Sequence, residues 1–158
     1  MAKEHDVSIC TFLKIEKDEG LLPRLDNVKY FSLGHKKLTA VCKIFDMFKI
    51  YRLLKKGRYD VVQLHGAFPF FIIAIALLHK KVKFFYTVHS DASKENTPIE
   101  TKILWIKRKC FQKKWLYPIT ISKTSQESFN DLYQCNSILI ENGLEAPCVN
   151  DTINPVLK

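Results

Sequence analysis

With 158 residues, 47% of them apolar and 26% charged, the chain has the size and balance of one globular domain, which excludes a disordered segment and hardly leaves room for two domains. The net charge of +9 makes nucleic acid, a membrane surface or a phosphorylated substrate worth considering, although lysines that only solvate a surface give the same number. Cys10, Cys42, Cys110, Cys135 and Cys148 are odd in number and form no C-x-x-C pair, which argues against a disulfide framework or a zinc site and fits reduced thiols in the cytoplasm.

Residues 1–6 are polar and the apolar run after them is too short for a signal peptide. Residues 7–12 alternate and are rich in β-formers, a first strand. Residues 20–26, with Gly20 and Pro23, read as loop, and residues 28–33 as a second strand closed by Gly34. From Leu38 the spacing turns helical: Leu38, Val41, Phe45, Phe48 and Tyr51 share one face. Lys55 and Lys56 complement the helix C-terminus, and Gly57 is placed to take the left-handed cap.

Residues 59–65 form the next strand, ending in His65-Gly66, and Pro69 suits the first turn of a helix over 70–78. That helix is apolar all round, which predicts burial on most sides; the apolar run falls short of the roughly 20 residues that cross a bilayer. Residues 82–88 make another strand, ending in His89-Ser90-Asp91. Thr97-Pro98-Ile99-Glu100 reads as a capping box with proline at the first helical position. The helix it opens turns Leu104, Ile106, Cys110, Phe111 and Trp115 inward and its lysines outward. Residues 119–122 are a short strand, Thr124 and Glu127 offer a second capping box for a helix ending near Gln134, and residues 137–140 are the last strand.

Strands and helices in alternation imply βαβ units and a mostly parallel α/β sheet with helices on both faces. Right-handed crossovers then bring the C-terminal ends of the strands to one edge, where open α/β sheets bind ligands. His65-Gly66, His89-Ser90-Asp91, Ser122-Lys123 and Asn142-Gly143 collect there. A polar cleft along that edge follows from the pattern alone.

At a strand end His89 can hydrogen-bond a sugar hydroxyl or phosphate or carry a proton, or simply bond backbone. His65 has the same placement, with Gly66 marking a tight turn. No two histidines have metal-ligand spacing, so no metal is expected. Ser122 and Ser125 lack a nucleophile elbow and read as helix caps, and Asp91 has no carboxylate mate for hydrolysis. The five glycines are isolated, and neither G-x-G-x-x-G nor a Walker-type loop occurs, so a self-sufficient dinucleotide enzyme is not expected. Lys107, Arg108 and Lys109, on a helix that also carries Trp105 and Trp115, form a candidate membrane contact for an anionic surface. No nucleic-acid motif is present.

The strand-end segments carry a resemblance. Tyr59-Asp60-Val61-Val62-Gln63-Leu64-His65-Gly66, Thr87-Val88-His89-Ser90, Ile119-Thr120-Ile121-Ser122 and Ile140-Glu141-Asn142-Gly143-Leu144-Glu145 are similar, in order and spacing, to segments of the family 4 glycosyltransferases, over roughly residues 1–147. The resemblance implies a Rossmann-like N-terminal domain of the two-domain GT-B fold. It also implies sugar transfer from a nucleotide-sugar donor, used as substrate without a cofactor, to an acceptor that is often lipid-linked, as in polysaccharide or glycolipid synthesis. It assigns His89 to the transferred sugar or acceptor, and matches Ser122, Asn142 and Gly143 to the cleft or hinge; His65, Gly66, Ser90 and Asp91, which the strand pattern brings to the same edge, complete the candidate substrate-binding residues.

Two departures shape the expectation. Residues 1–7 resemble the end of the family's first helix running into its second strand, so the first strand and its glycine loop look missing. No glutamate pair with the donor domain's E-x7-E spacing occurs, and residues 148–158 read as a tail towards that domain. A lost central strand should leave a break in the sheet. The chain alone is therefore expected to be inactive and weakly stable, cytoplasmic, and peripheral at the inner membrane face. The competing readings are a non-catalytic binding or regulatory module that has kept the fold, and an unrelated α/β enzyme with a histidine-centred site.

Overall fold

A computed structural model describes residues 5–13, 28–35 and 40–141. Its elements run β1 (Val7–Leu13), β2 (Val28–His35), α1 (Ala40–Gly57), β3 (Val61–Leu64), α2 (Phe68–Leu78), β4 (Lys83–Val88), α3 (Pro98–Lys102), α4 (Leu104–Gln112), β5 (Tyr117–Thr120), α5 (Lys123–Tyr133) and β6 (Ile138–Leu139). This is the expected α/β alternation, with parallel sheets flanked by helices. The described strands make two sheets: β1-β2, and β3-β4-β5-β6 in sequence order. The loop expected over residues 20–26, and Leu38, lie outside the described residues.

The chain divides into two compact units, one of Met1–Val62 with Ala67–Phe84 and one of Gln63–Gly66 with Phe85–Lys158. In the first unit β1 and β2 run parallel, Val7 opposite Val28 and Thr11 opposite Ser32, with a register shift between Thr11 and Leu13. Phe12 turns its ring onto Phe70 of α2, the centroids 4.5 Å apart. Helices α1 and α2 pack against each other. Helix α2 starts where Gly66 (φ 75°) and Ala67 (φ 56°) both take left-handed backbone and Pro69 sits in the first turn, as the sequence indicates. It buries Phe68, Phe70, Ala74, Ile75 and Leu78. His79 closes the helix: its Nδ1–H donates to the carbonyls of Ile75 and Ala76 at 3.0 and 3.1 Å.

Helix α1 departs from the sequence reading in two ways. Its buried side is Asp46, Ile50 and Leu54, whereas Phe45 and Phe48, expected inward, are exposed. The helix carries two apolar stripes, and periodicity alone does not say which one meets a neighbour. Its left-handed residue is Arg58 (φ 51°) rather than Gly57. Gly57 instead leaves room for the Tyr59 ring, which a Cβ there would meet and have to push aside.

In the second unit β4, β5 and β6 are parallel, with Phe85 opposite Tyr117, Val88 opposite Thr120 and Thr120 opposite Leu139. The core is aromatic. Phe111 meets Tyr86, Phe129 and Tyr133 edge-on, with centroids 6.0, 5.0 and 4.9 Å away. Each such buried ring contributes about 1.5–3 kcal/mol by removal from water, and the edge-on geometry adds to it. The capping box at Thr97 is present: Glu100 N–H donates to Thr97 Oγ1, and Thr97 N–H to Glu100 Oε2. The helix it opens is two, interrupted at Ile103, whose φ of -108° and ψ of 18° leave the helical range. Ser122 and Ser125 cap α5, as those two serines read, two residues before the box expected at Thr124 and Glu127, and the C-cap is Gln134.

Lys107 is the largest departure in this unit. It is 1% exposed, although the sequence reading turned it outward. Its ammonium donates to Tyr86 Oη and Asn96 Oδ1, both at 3.0 Å, pairs with Glu100 Oε1 at 3.5 Å, and lies 4.2 Å from the Tyr86 ring centre. Tyr133 Oη donates to the same Asn96 oxygen at 3.1 Å. Burial pulls the Lys107 ammonium below its usual pKa, against the attraction of Glu100, and pushes the Tyr133 hydroxyl up to about 12. Lys107 is one position in a run with Cys110 and Phe111, three and four residues on, so the helical period carries it inward with them.

Candidate functional site

The polar residues that follow β3 and β4 meet within the second unit. Gln63 Nε2–H donates to Thr87 Oγ1 at 2.9 Å, tying the two strands together one residue before each ends. Two positions further on, His65 Nδ1 and His89 Nε2 lie 2.9 Å apart, with ring centroids separated by 5.1 Å and planes inclined by 29°. Both rings are exposed to solvent. Two imidazole nitrogens at this distance share one proton, so one ring donates and the other accepts. Partial burial, and after it the charge of His89, hold the His65 pKa below the ordinary imidazole value.

The pair has a definite outward chemistry. If His65 Nδ1 holds the shared proton, His65 Nε2 is an acceptor and His89 Nδ1 a donor; in the other tautomer the roles exchange. One donor and one acceptor therefore face solvent in either case. Sugar hydroxyls, which both donate and accept, suit that combination. A third proton on the pair makes both outer nitrogens donors while the shared proton still bridges the rings; only a fourth, which puts N–H on both facing nitrogens, breaks the contact.

Glu95 supports the same corner and was not singled out from the sequence. Its Oε1 accepts the backbone N–H of His89 at 2.5 Å and of Ser90 at 2.6 Å, with Ser90 Oγ at 3.3 Å. Backbone donors beyond a strand end need an acceptor, and this carboxylate provides it for two at once. The only signal for it in the sequence is a lone acid in the polar loop after β4, which does not distinguish it from solvent-facing charge.

The other expected residues fall differently. Ser90 stands in the corner, and Gly66 shapes the turn after His65 through its positive φ, with nothing within 4 Å of where a Cβ would be. Asp91 is occupied by its own loop: Oδ1 accepts Ser93 N–H at 2.9 Å and Ser93 Oγ–H at 2.6 Å, and Lys94 Nζ is 3.8 Å from Oδ2. The Ser93 bonds, ahead of the Lys94 charge, hold its carboxyl below the usual pKa. The Ser122 hydroxyl is engaged in the α5 cap with Ser125. Asn142 and Gly143 lie outside the described residues.

The candidate membrane contact does not hold together. Lys107 is buried, and Arg108 donates to the Leu132 carbonyl at 2.5 Å, so of the three only Lys109, over the exposed Trp105 ring at 5.3 Å, remains a surface cation. No described helix is long and apolar enough to cross a membrane. Among the described residues no cluster of three histidine, cysteine or acidic side chains is placed to hold a metal.

A family model for Glycosyltransferase Family 4 matches residues 1–146. Searches of curated proteins and of solved structures return no significant match.

Proposed function

The chain belongs to glycosyltransferase family 4, and from that premise we propose that it forms the acceptor side of an enzyme moving a sugar from a nucleotide-sugar donor to a polysaccharide or glycolipid acceptor in the cytoplasm. The observation that carries the reading is the His65–His89 pair at the ends of β3 and β4. It offers a donor and an acceptor to sugar hydroxyls, and its geometry is braced from behind by Glu95 on the His89 and Ser90 amides. Asp91 and Ser122, whose polar atoms serve the loop and the helix cap, act on the shape of the edge instead of touching the sugar.

Chemically, the pair orients a hydroxyl and shares a proton with it, while donor binding and leaving-group stabilisation fall to residues outside those described. The chain by itself therefore binds acceptor without turning over. The test mixes the full chain with the donor domain of a related family 4 enzyme and follows transfer from labelled nucleotide sugars. The mixture should transfer sugar, the chain alone should not, and His89→Ala should lower the rate by about a hundredfold or more. Transfer that is indifferent to His89→Ala would remove the pair from the site. Acceptor binding with no transfer in any mixture would favour the binding-module reading.

A further inference from the structure

Helix α1 exposes what a helix of a water-facing surface ordinarily buries. Ile44, Phe45 and Phe48 are 60, 65 and 53% exposed and adjoin one another on the helix. Further along the same side stand Lys49, Arg52, Lys55 and Lys56, all exposed. At 3.6 residues per turn these seven positions span about 140° of the circumference. Asp46, Ile50 and Leu54 lie opposite and are buried. Asp46 is the one acid in the helix sequence, so the exposed face has aromatic and aliphatic groups at its start, four cations after them, and no carboxylate.

We propose that this face of α1 lies on the surface of an anionic lipid bilayer, with Ile44, Phe45 and Phe48 inserted at the headgroup–acyl boundary and Lys49, Arg52, Lys55 and Lys56 against lipid phosphates. Single exposed apolar residues are commonplace, but three contiguous ones beside a row of four cations, of which Lys49 also pairs with Asp46 at 3.8 Å, combine the two contributions that hold interfacial helices on membranes. The long lysine stems let ammonium groups reach phosphates while their methylenes lie along apolar surface. Charge argues against a second copy of the chain, since each protomer carries a net +9 and would bring the same cations to the contact. The inference does not rest on the sugar-transfer reading; the surface belongs to α1 and is defined without the histidine pair.

The experiment is co-sedimentation of the full chain with vesicles of phosphatidylcholine, with and without phosphatidylglycerol, after circular dichroism has shown each variant folded. Binding should require the anionic lipid and weaken with salt. Phe45→Ser with Phe48→Ser should reduce partitioning about tenfold or more, because burying a phenylalanine ring is the larger contribution per residue. Reversing Lys49, Arg52 and Lys55 to glutamate should reduce it by about fivefold per charge removed. Reversing Lys102, Lys109 and Lys113, exposed cations around α4, changes the net charge equally and should cost far less. Equal loss from the two triple reversals would make binding a matter of net charge and overturn the assignment. So would undiminished binding by the phenylalanine variants, or a lipid-free dimer that the same variants dissociate.

Discussion

Helices α1 and α4 are built from similar material, apolar residues interspersed with lysines and arginines, yet they distribute it in opposite ways. Helix α4 takes a lysine into the core of its unit and surrounds it with Tyr86, Asn96, Glu100 and Tyr133. Helix α1 leaves two phenylalanines and an isoleucine in solvent and buries an aspartate. Residue type does not decide burial in either helix. The face that meets a neighbour decides it, and polar groups caught on that face acquire partners: Lys107 a carboxylate and two oxygens, Asp46 the Lys49 ammonium at 3.8 Å.

The comparison can be broken most severely at Lys107. Replacing it with methionine leaves Glu100 buried beside Asn96 with no counter-ion, and denaturant unfolding should show a loss of about 3–5 kcal/mol. Adding Glu100→Gln should restore much of that, because the uncompensated charge goes with it. A Lys107→Met protein as stable as the parent would mean that the network contributes nothing. Next in size is the cap that positions α5. Ser122→Ala removes the acceptor for Ser125 N–H and should cost about 1 kcal/mol, measured the same way.

On α1 the expectation runs the other way. Phe45→Ser and Phe48→Ser, drastic substitutions in a core, should each change stability by less than about 0.5 kcal/mol. A loss of several kcal/mol would show that these rings are buried and that the contrast between the helices is false. Smallest of all is the contribution of His65 to pH dependence. Its folded pKa lies below the ordinary value of about 6.5, so between the two values the unfolded chain binds more protons. Stability should therefore fall slightly as pH drops through and below about 6.5 and be fully regained above it. His65→Asn should flatten that slope, and its persistence would assign the effect to another group.

Much of the architecture was legible because it rests on local rules. The alternation of periods gave the α/β class, Pro69 and Thr97-Pro98-Ile99-Glu100 marked helix starts that the structure has, and placement after β3 and β4 singled out His65 and His89, which turn out to touch. What escaped depends on tertiary context. The inward face of α1 was misassigned because two apolar stripes compete and only packing with α2 selects one. Lys107 was assigned by its charge although its spacing from Cys110 and Phe111 placed it inward, so that signal was present and outweighed. Glu95 left no trace in the sequence, since its value comes from two backbone amides six and five residues before it. Ser122 and Ser125 cap α5 as they read, but the box expected at Thr124 and Glu127 is not the one used, because Ser122-Lys123-Thr124-Ser125 and Thr124-Ser125-Gln126-Glu127 each supply a hydroxyl and a polar third neighbour.

The account centres on the histidine pair as a contact for sugar, and imidazole-nitrogen NMR of the full chain, titrated with hexoses, N-acetylhexosamines and hexose phosphates, tests it most directly. The account predicts that the His65 and His89 ring signals move together and saturate with at least one of these probes, and that His89→Ala abolishes the response. Saturable binding that leaves both rings unmoved, or that survives His89→Ala unchanged, would contradict it.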